Sequence, residues 1–434
     1  MQLMFTLGLP LVYFGAFTLL HAEFFLKECD RLGDYPLLTL EIQRAADFKA
    51  LLGPYSRHGF NHPGPFSLYV FALGERLLFF IKSFYGRYAL TQLLMSLVFI
   101  SGSLRLIYRH FGAAQSAFAF TTILLYFAAE RRTSFFCDIW GPALLPSAML
   151  AFLCTSAALA TGNLKPFLLW SIAFSVLASN HLGTWPVVGP ISVFALGKGV
   201  PNINKHATKI DRPTKLSIAA GLLVILAAAL PPLIELIIKP GLGNLGKILH
   251  FSLYRTENKP FPQSLAFLVS FYDLNLGLFA LPGFILFPML TLICFLVKLP
   301  RWQFAWNLRA AILACPFLVL PGILKIRGEL HAFILWHQYA VAALLLTCSA
   351  HGLMLVFPQL RVGFSKYATT AFLSAALVIS AMDGALRPPE IMSHCRNIRR
   401  GRDSLKPGKR STLYSRKHQG GCGRGALRPF RPGP

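Results

Sequence analysis

Acidic residues are scarce. The 434-residue chain has 17 Asp and Glu against 42 Lys and Arg, and only 14% of it is charged. Soluble domains carry about 25% charge, so an ordinary water-facing surface is excluded. Eight cysteines occur, yet none forms a C-x-x-C pair. That removes the paired-thiolate zinc and thioredoxin-type motifs. No P-loop, zincin helix or G-x-S-x-G elbow is present, so the common motif-borne phosphoryl, peptidase and esterase chemistries have no support. Internal repeats are also lacking, although repeat-built transporters carry them.

What fills the chain instead is apolar. Hydrophobic residues make up 55% of it and Phe alone counts 38. Runs such as LSIAAGLLVILAAAL (216–230) and LGLFALPGFILFPMLTLICFLV (276–297) are long enough to cross a hydrocarbon core. The expected fold class is all-α, a polytopic membrane bundle of about eleven spans. They are placed at 3–26, 89–108, 113–130, 142–161, 166–180, 185–198, 216–237, 277–298, 308–325, 333–357 and 367–385. Segment 66–82 is apolar but carries Glu75 and Arg76 near its centre. Each would cost a few kcal/mol at a bilayer midplane, so the segment reads as an interfacial amphipathic helix. Within 37–52, Leu38, Ile42, Ala45, Ala46 and Leu52 fall near one helical face, predicting a second surface helix. The outer loop 27–88 thus carries two such helices.

Charge orients the bundle. The loop 198–215 holds five Lys and Arg and one acid, which makes it cytoplasmic. Nearly all the acids ahead of residue 386 then fall on or beside the opposite face, with His62, His181, Arg327 and His331. Non-cytoplasmic loops tolerate acids in any case, so the clustering has a bland explanation too. Residues 386–434 hold 13 Lys and Arg against two acids, with many Gly and Pro. This tail cannot bury a core; it reads as disordered, and a frameshift would give the same texture. Anionic lipid, rather than nucleic acid, is the expected partner of the basic charge.

Several polar constellations stand out. Asp34 follows the first span, where a carboxylate could deprotonate a hydroxyl, hold a divalent cation, or merely sit solvated. Glu41 lies one or two helical turns on and reads as a surface residue. The stretch GPYSRHGFNHPGPF (53–66) gathers Tyr55, Ser56, Arg57, Asn61 and His62 among Gly and Pro. These groups could bind a polar ligand, or Asn61 and His62 could cap the next helix. Asp138 in CDIWGPALLP could serve a site or the dipole of the helix after it. His181 sits in SNHLGTWP between two weak spans, where it could simply be a satisfied turn residue. Arg327, with Glu329 and His331 in KIRGELHAF, suits a phosphate held bidentately, or snorkels to headgroups.

Taken in order, Gly33-Asp34 with Glu41, GPYSRHGFNHPGP, DIWGPALLP, SNHLGTWP, ALPPLIELIIKPGLGN and KIRGELHAFILW resemble the GT-C membrane glycosyltransferases. The likeness is to bacterial members of the protein-mannosyltransferase and aminoarabinose-transferase branch, and it covers roughly residues 1–385. It implies an inverting transferase with a polyprenyl-phosphate-linked sugar donor and a cell-envelope glycan, lipid or protein acceptor. The site would face outward from a bacterial inner membrane. Asp34 would match the base, Asp138 the second acid and Arg327 the group at the lipid phosphate. Glu41, Tyr55, Arg57, His62, His181 and His331 would surround the substrate. Two departures stand out: WGP where Trp-Asn-Pro is expected, and the lack of the soluble C-terminal domain of many relatives. The rival reading is a transporter or flippase of a lipid-linked or anionic substrate.

Overall fold

A computed structural model describes residues 2–26, 34–129, 136–206, 210–255, 258–276, 283–296, 303–357 and 359. These residues build helices and no strands. The first span is a π-turn, Met4–Gly8, running into α1 (Leu9–Leu20), a break at His21, and α2 (Ala22–Leu26). The segment after the first span supplies α3 (Tyr35–Ala46) and α4 (Phe66–Leu77). Then come α5 (Phe84–Phe111), α6 (Ala113–Ala129), α7 (Gly141–Ala160), α8 (Phe167–Asn180), α9 (Trp185–His206) and α10 (Arg212–Ile238). The segment after α10 holds α11 (Gly243–His250) and α12 (Phe261–Leu276), followed by α13 (Gly283–Leu296), α14 (Phe304–Leu324) and α15 (Gln338–Val356).

Five of these helices, α5, α7, α10, α14 and α15, are long and apolar enough to cross a membrane. Three shorter apolar stretches, Met4–Leu20, Ala113–Leu124 and Phe167–Asn180, join them. The chain is an integral membrane protein. The expected span at 367–385 and the basic tail lie outside the described residues.

α7 is the central pillar. Its sequence is rich in Ala, Ser and Thr, and every residue of it is buried. Small side chains let α5, α8, α9, α14 and α15 approach it closely. Thr155 returns its hydroxyl to the Ala151 carbonyl (2.6 Å), and Ser156 accepts from the Trp170 indole (3.0 Å). α10 packs mainly on α8 and α11 and exposes Leu222, Leu223 and Leu226, an apolar face suited to lipid.

The surface helices bury one face each. α3 buries Leu38, Ile42 and Ala45, and α4 buries Leu68, Phe71 and Ala72. Gly74 of α4 lies so close to Thr91 that no side chain fits there. Glu75 accepts from the Tyr88 hydroxyl (2.6 Å), which removes much of the cost of its partial burial. The segment 238–276, read as a loop, proves largely helical. Pro262 stands in the first turn of α12, where a missing N–H costs nothing. The Gly and Pro at 240–243 had pointed only to the turn ahead of α11.

Candidate functional site

The lip 53–66 is a folded hairpin-like loop. Ser56 N donates to Phe60 O (2.9 Å), His62 N to Pro54 O (2.8 Å) and Gly53 N to His62 O (3.1 Å). Gly59 turns the tip at φ +85°, a region that favours glycine. A Cβ on Gly53 would meet Gly64 O at 2.5 Å and His62 O at 2.9 Å, so only glycine fits.

Uncharged amides anchor this loop to its neighbours. Asn61 N donates to Asn244 Oδ1, and Asn244 Nδ2 donates back to Asn61 O, each at 2.8 Å. Asn61 therefore does not cap α4, whose N-terminal cap, Pro65, has no side-chain bond. Asn244 N in turn donates to both carboxylate oxygens of buried Glu235 at the end of α10 (3.1 Å). The stretch GLGNLGK (241–247) has the glycine spacing of a phosphate loop, but Ile248 stands where Ser or Thr would follow. Here it wraps a carboxylate of its own chain. On the other side, Gly64 N donates to Ser179 O (3.2 Å). Buried Asn180 accepts from Ser67 (3.0 Å) and donates to Gly141 O (2.8 Å). A Cβ at Gly141 would meet Asn180 Nδ2 at 3.4 Å. In WGP, the Asn180 amide from α8 thus lies where a side chain at 141 would begin.

These ties enclose a cavity of about 800 Å³ lined by the lip, the start of α3, the α7 and α9 N-termini, Phe251 and the end of α14. Asp34, Glu41, Tyr55, Arg57, His62, His181 and Arg327 all line it. His331 does not; it lines a smaller adjoining recess of about 290 Å³ with Arg57, His58, Arg327 and Glu329. Asp138 lines neither. It is buried, and its carboxylate accepts from the Tyr35 hydroxyl (3.0 and 3.1 Å) and from Trp140 N (2.9 Å). Through Tyr35 it tethers the α3 N-terminus, where Asp34 stands, to the start of α7.

The rim is electrostatically uneven. Among the described residues, Arg57 and Arg327 make no ion pair, and the exposed Asp34 carboxylate has no hydrogen-bond donor. Burial lowers the pKa of His58, and the positive fields of Arg57 and Arg327 lower it further. Both guanidinium fields therefore reach one point of the rim. Half-buried Glu41 is pushed up to about 7 by burial, against the opposing pull of the Tyr55 backbone and Arg44. Glu41, which its spacing assigns to the surface and the resemblance to the substrate, is thus a cavity group. Trp140, Phe333 and Trp336 form an aromatic wall with centroids 5.2–5.4 Å from Trp140. Val319, Ile323 and Ile334 add an aliphatic side. Among the described residues no group of three His, Cys, Asp or Glu side chains is placed to hold a metal ion.

Apolar helices beside a helical segment that roofs a polar cavity make up a membrane fold of the kind seen in ArnT. Over 91% of its length the chain superposes on 76% of ArnT from Cupriavidus metallidurans bound to undecaprenyl phosphate, with a TM-score of 0.50 and 14% identity. The apo structure of the same protein aligns over 90% of this chain and 75% of that one, at 15% identity and a TM-score of 0.49. No protein-family model matches the chain, and no curated protein matches it by sequence.

Proposed function

We propose that the protein transfers a sugar from a polyprenyl-phosphate carrier to an acceptor at the outer face of a bacterial inner membrane. The observation that carries this reading is that two guanidiniums, Arg57 and Arg327, and a carboxylate, Asp34, all without an ion pair among the described residues, line one cavity. The ArnT structure of the same fold, bound to undecaprenyl phosphate, supports a lipid-phosphate donor.

In this reading Asp34 takes the proton of the acceptor hydroxyl. The freed oxygen attacks the anomeric carbon, and the bond from that carbon to the phosphate oxygen breaks with inversion. The leaving polyprenyl phosphate gains a negative charge, and Arg327 with Arg57 meets it. Charge that grows only in the transition state is where preorganised cations accelerate a reaction. The aliphatic side of the cavity, Val319, Ile323 and Ile334, accepts the first prenyl units. Asp138 acts on geometry, holding Asp34 in place through Tyr35.

Transfer of label from radiolabelled polyprenyl-phosphate sugars to membrane acceptors tests the assignment. Asp34→Asn should slow transfer by about 10²–10⁴-fold while leaving donor binding intact. Transfer at the wild-type rate would dismiss Asp34 as base. Movement of labelled lipid across vesicles without chemical change would replace the whole reading with transport.

A further inference from the structure

We propose that His62 and His181 form a paired-imidazole subsite that holds the sugar of the donor through two neutral Nε2–H groups. This rests on the reading of the cavity as a polyprenyl-phosphate-sugar site and assigns its inner end.

The two histidines come from separate motifs, FNHPGP and SNHLGTWP, and both line the cavity. Their rings stack with centroids 5.1 Å apart and planes 29° apart. Each ring has one nitrogen already committed. Leu182 N donates to His62 Nδ1 (3.4 Å), and Gly183 N donates to His181 Nδ1 (3.1 Å). A nitrogen that accepts from an amide N–H carries no proton, so in the neutral ring the proton sits on Nε2. Two backbone amides therefore fix both tautomers alike. Among the described residues no hydrogen bond engages either Nε2.

Charging the pair would stack two cations and set a new N–H against each backbone donor. Burial and this proximity hold His62 down to about 3, and burial holds His181 down to about 4. The inner end of the cavity is thus neutral at any physiological pH, whereas the rim carries the full charges of Arg57 and Arg327. A phosphate is drawn to the rim. Neutral donors at the inner end match hydroxyl oxygens, and Asn180 beside them spends its amide on Gly141 and Ser67. The Trp140 face on the same cavity suits the C–H side of a sugar ring. A site built to bond hydroxyls discriminates strongly against a ligand without them.

The test uses full-length protein in nanodiscs with two kinds of probe. One is undecaprenyl phosphate; the other is a panel of undecaprenyl-phosphate-linked hexoses and aminopentoses. Tryptophan fluorescence reads binding, since Trp140 and Trp185 line the cavity. His62→Asn and His181→Asn keep an acceptor near Nδ1 for the backbone clamp and remove the Nε2 donor. Each should weaken the preferred sugar-bearing lipid by about tenfold, as loss of a ligand hydrogen bond does. Bare undecaprenyl phosphate should change by less than about twofold, because no charge is altered. His62→Gln and His181→Gln, which place an N–H near Nε2, should recover part of the loss. A parallel loss for both lipid kinds would show a purely structural role and overturn the proposal, as would no loss at all. A wild-type protein that binds undecaprenyl phosphate but never prefers a sugar-bearing lipid would overturn the subsite alone. Binding of neither kind would overturn the functional reading and the subsite together.

Discussion

The cavity has an inner end and a rim, and the two are built on opposite terms. Behind the inner end the groups that hold its walls have fixed partners, Asn61 with Asn244, Asn244 with Glu235, Asn180 with Ser67 and Gly141, while His62 and His181 each commit one ring nitrogen. The groups there are uncharged or, like Glu235, internally satisfied. At the rim, Asp34, Arg57 and Arg327 are exposed charges, and none has a side-chain ion pair among the described residues. A buried amide without its partner costs about 1–3 kcal/mol, so the inner end must be complete before any ligand arrives. Exposed charges carry no such penalty and can wait for a ligand. Shape therefore belongs to the inner end and charge to the rim.

That division can be broken at the rim first. Asp34→Asn should lower transfer by about 10²–10⁴-fold, the range for loss of a general base, with the melting temperature unchanged. Arg327→Gln should lower kcat/KM for the lipid donor by about 10²-fold through lost charge stabilisation, again with the fold intact. Label-transfer kinetics and thermal melts read both. If either substitution unfolds the protein, the rim is structural and the contrast fails.

At the inner end the order of effects should reverse. Asn180→Ala strands the Ser67 hydroxyl and the Gly141 carbonyl, and should cost about 2–3 kcal/mol of stability. Denaturant titration in detergent would measure it; an unchanged midpoint would mean that the stitching is dispensable. Gly53→Ala should be worse tolerated than its size implies, because the methyl group meets the Gly64 carbonyl.

The smallest effect sharpens the boundary between the regions. Glu41 has its folded-state pKa raised to about 7. Its protonated form is favoured by folding, so the stability tied to that proton is complete below its unfolded value near 4.5. It is lost as pH rises through 7. The same ionisation sets a negative charge beside an anionic donor. Donor affinity should fall a few-fold from pH 6 to pH 8, and Glu41→Gln should flatten that profile. A profile that persists in the variant would assign it to another group.

Hydropathy placed most of the spans, because crossing a bilayer leaves a long apolar record. Periodicity placed α3, since Leu38, Ile42 and Ala45 lie on one face, and the charges of Glu75 and Arg76 set α4 apart from the spans. α12 was missed because the Gly and Pro turn at 240–243 dominated its segment. The residues lining the cavity were readable where charge or imidazole made them conspicuous, as with Asp34, Arg57, His62, His181 and Arg327. Asn180 and Asn244 were not, because an uncharged amide beside a turn looks like solvent-facing loop. Nothing in sequence pairs Tyr35 with Asp138, whose contact spans 103 positions. The weight of Glu41 was hidden for a related reason: its burial comes from the lip folding over it.

The Glu235–Asn244–Asn61 chain of bonds has a mechanical consequence. α10 is 27 residues long, about 40 Å at the usual rise, and exceeds a hydrocarbon core of about 30 Å. An excess of this kind is met by tilt, by kinking at Pro231 and Pro232, by local thickening of the bilayer or by the polar end at Arg212 standing outside the core. The far end of α10 is bonded to the loop over the cavity, so a bilayer that changed its tilt would pull on that loop. Lipid chain length thereby becomes a lever on the geometry of the chamber, applied from outside it.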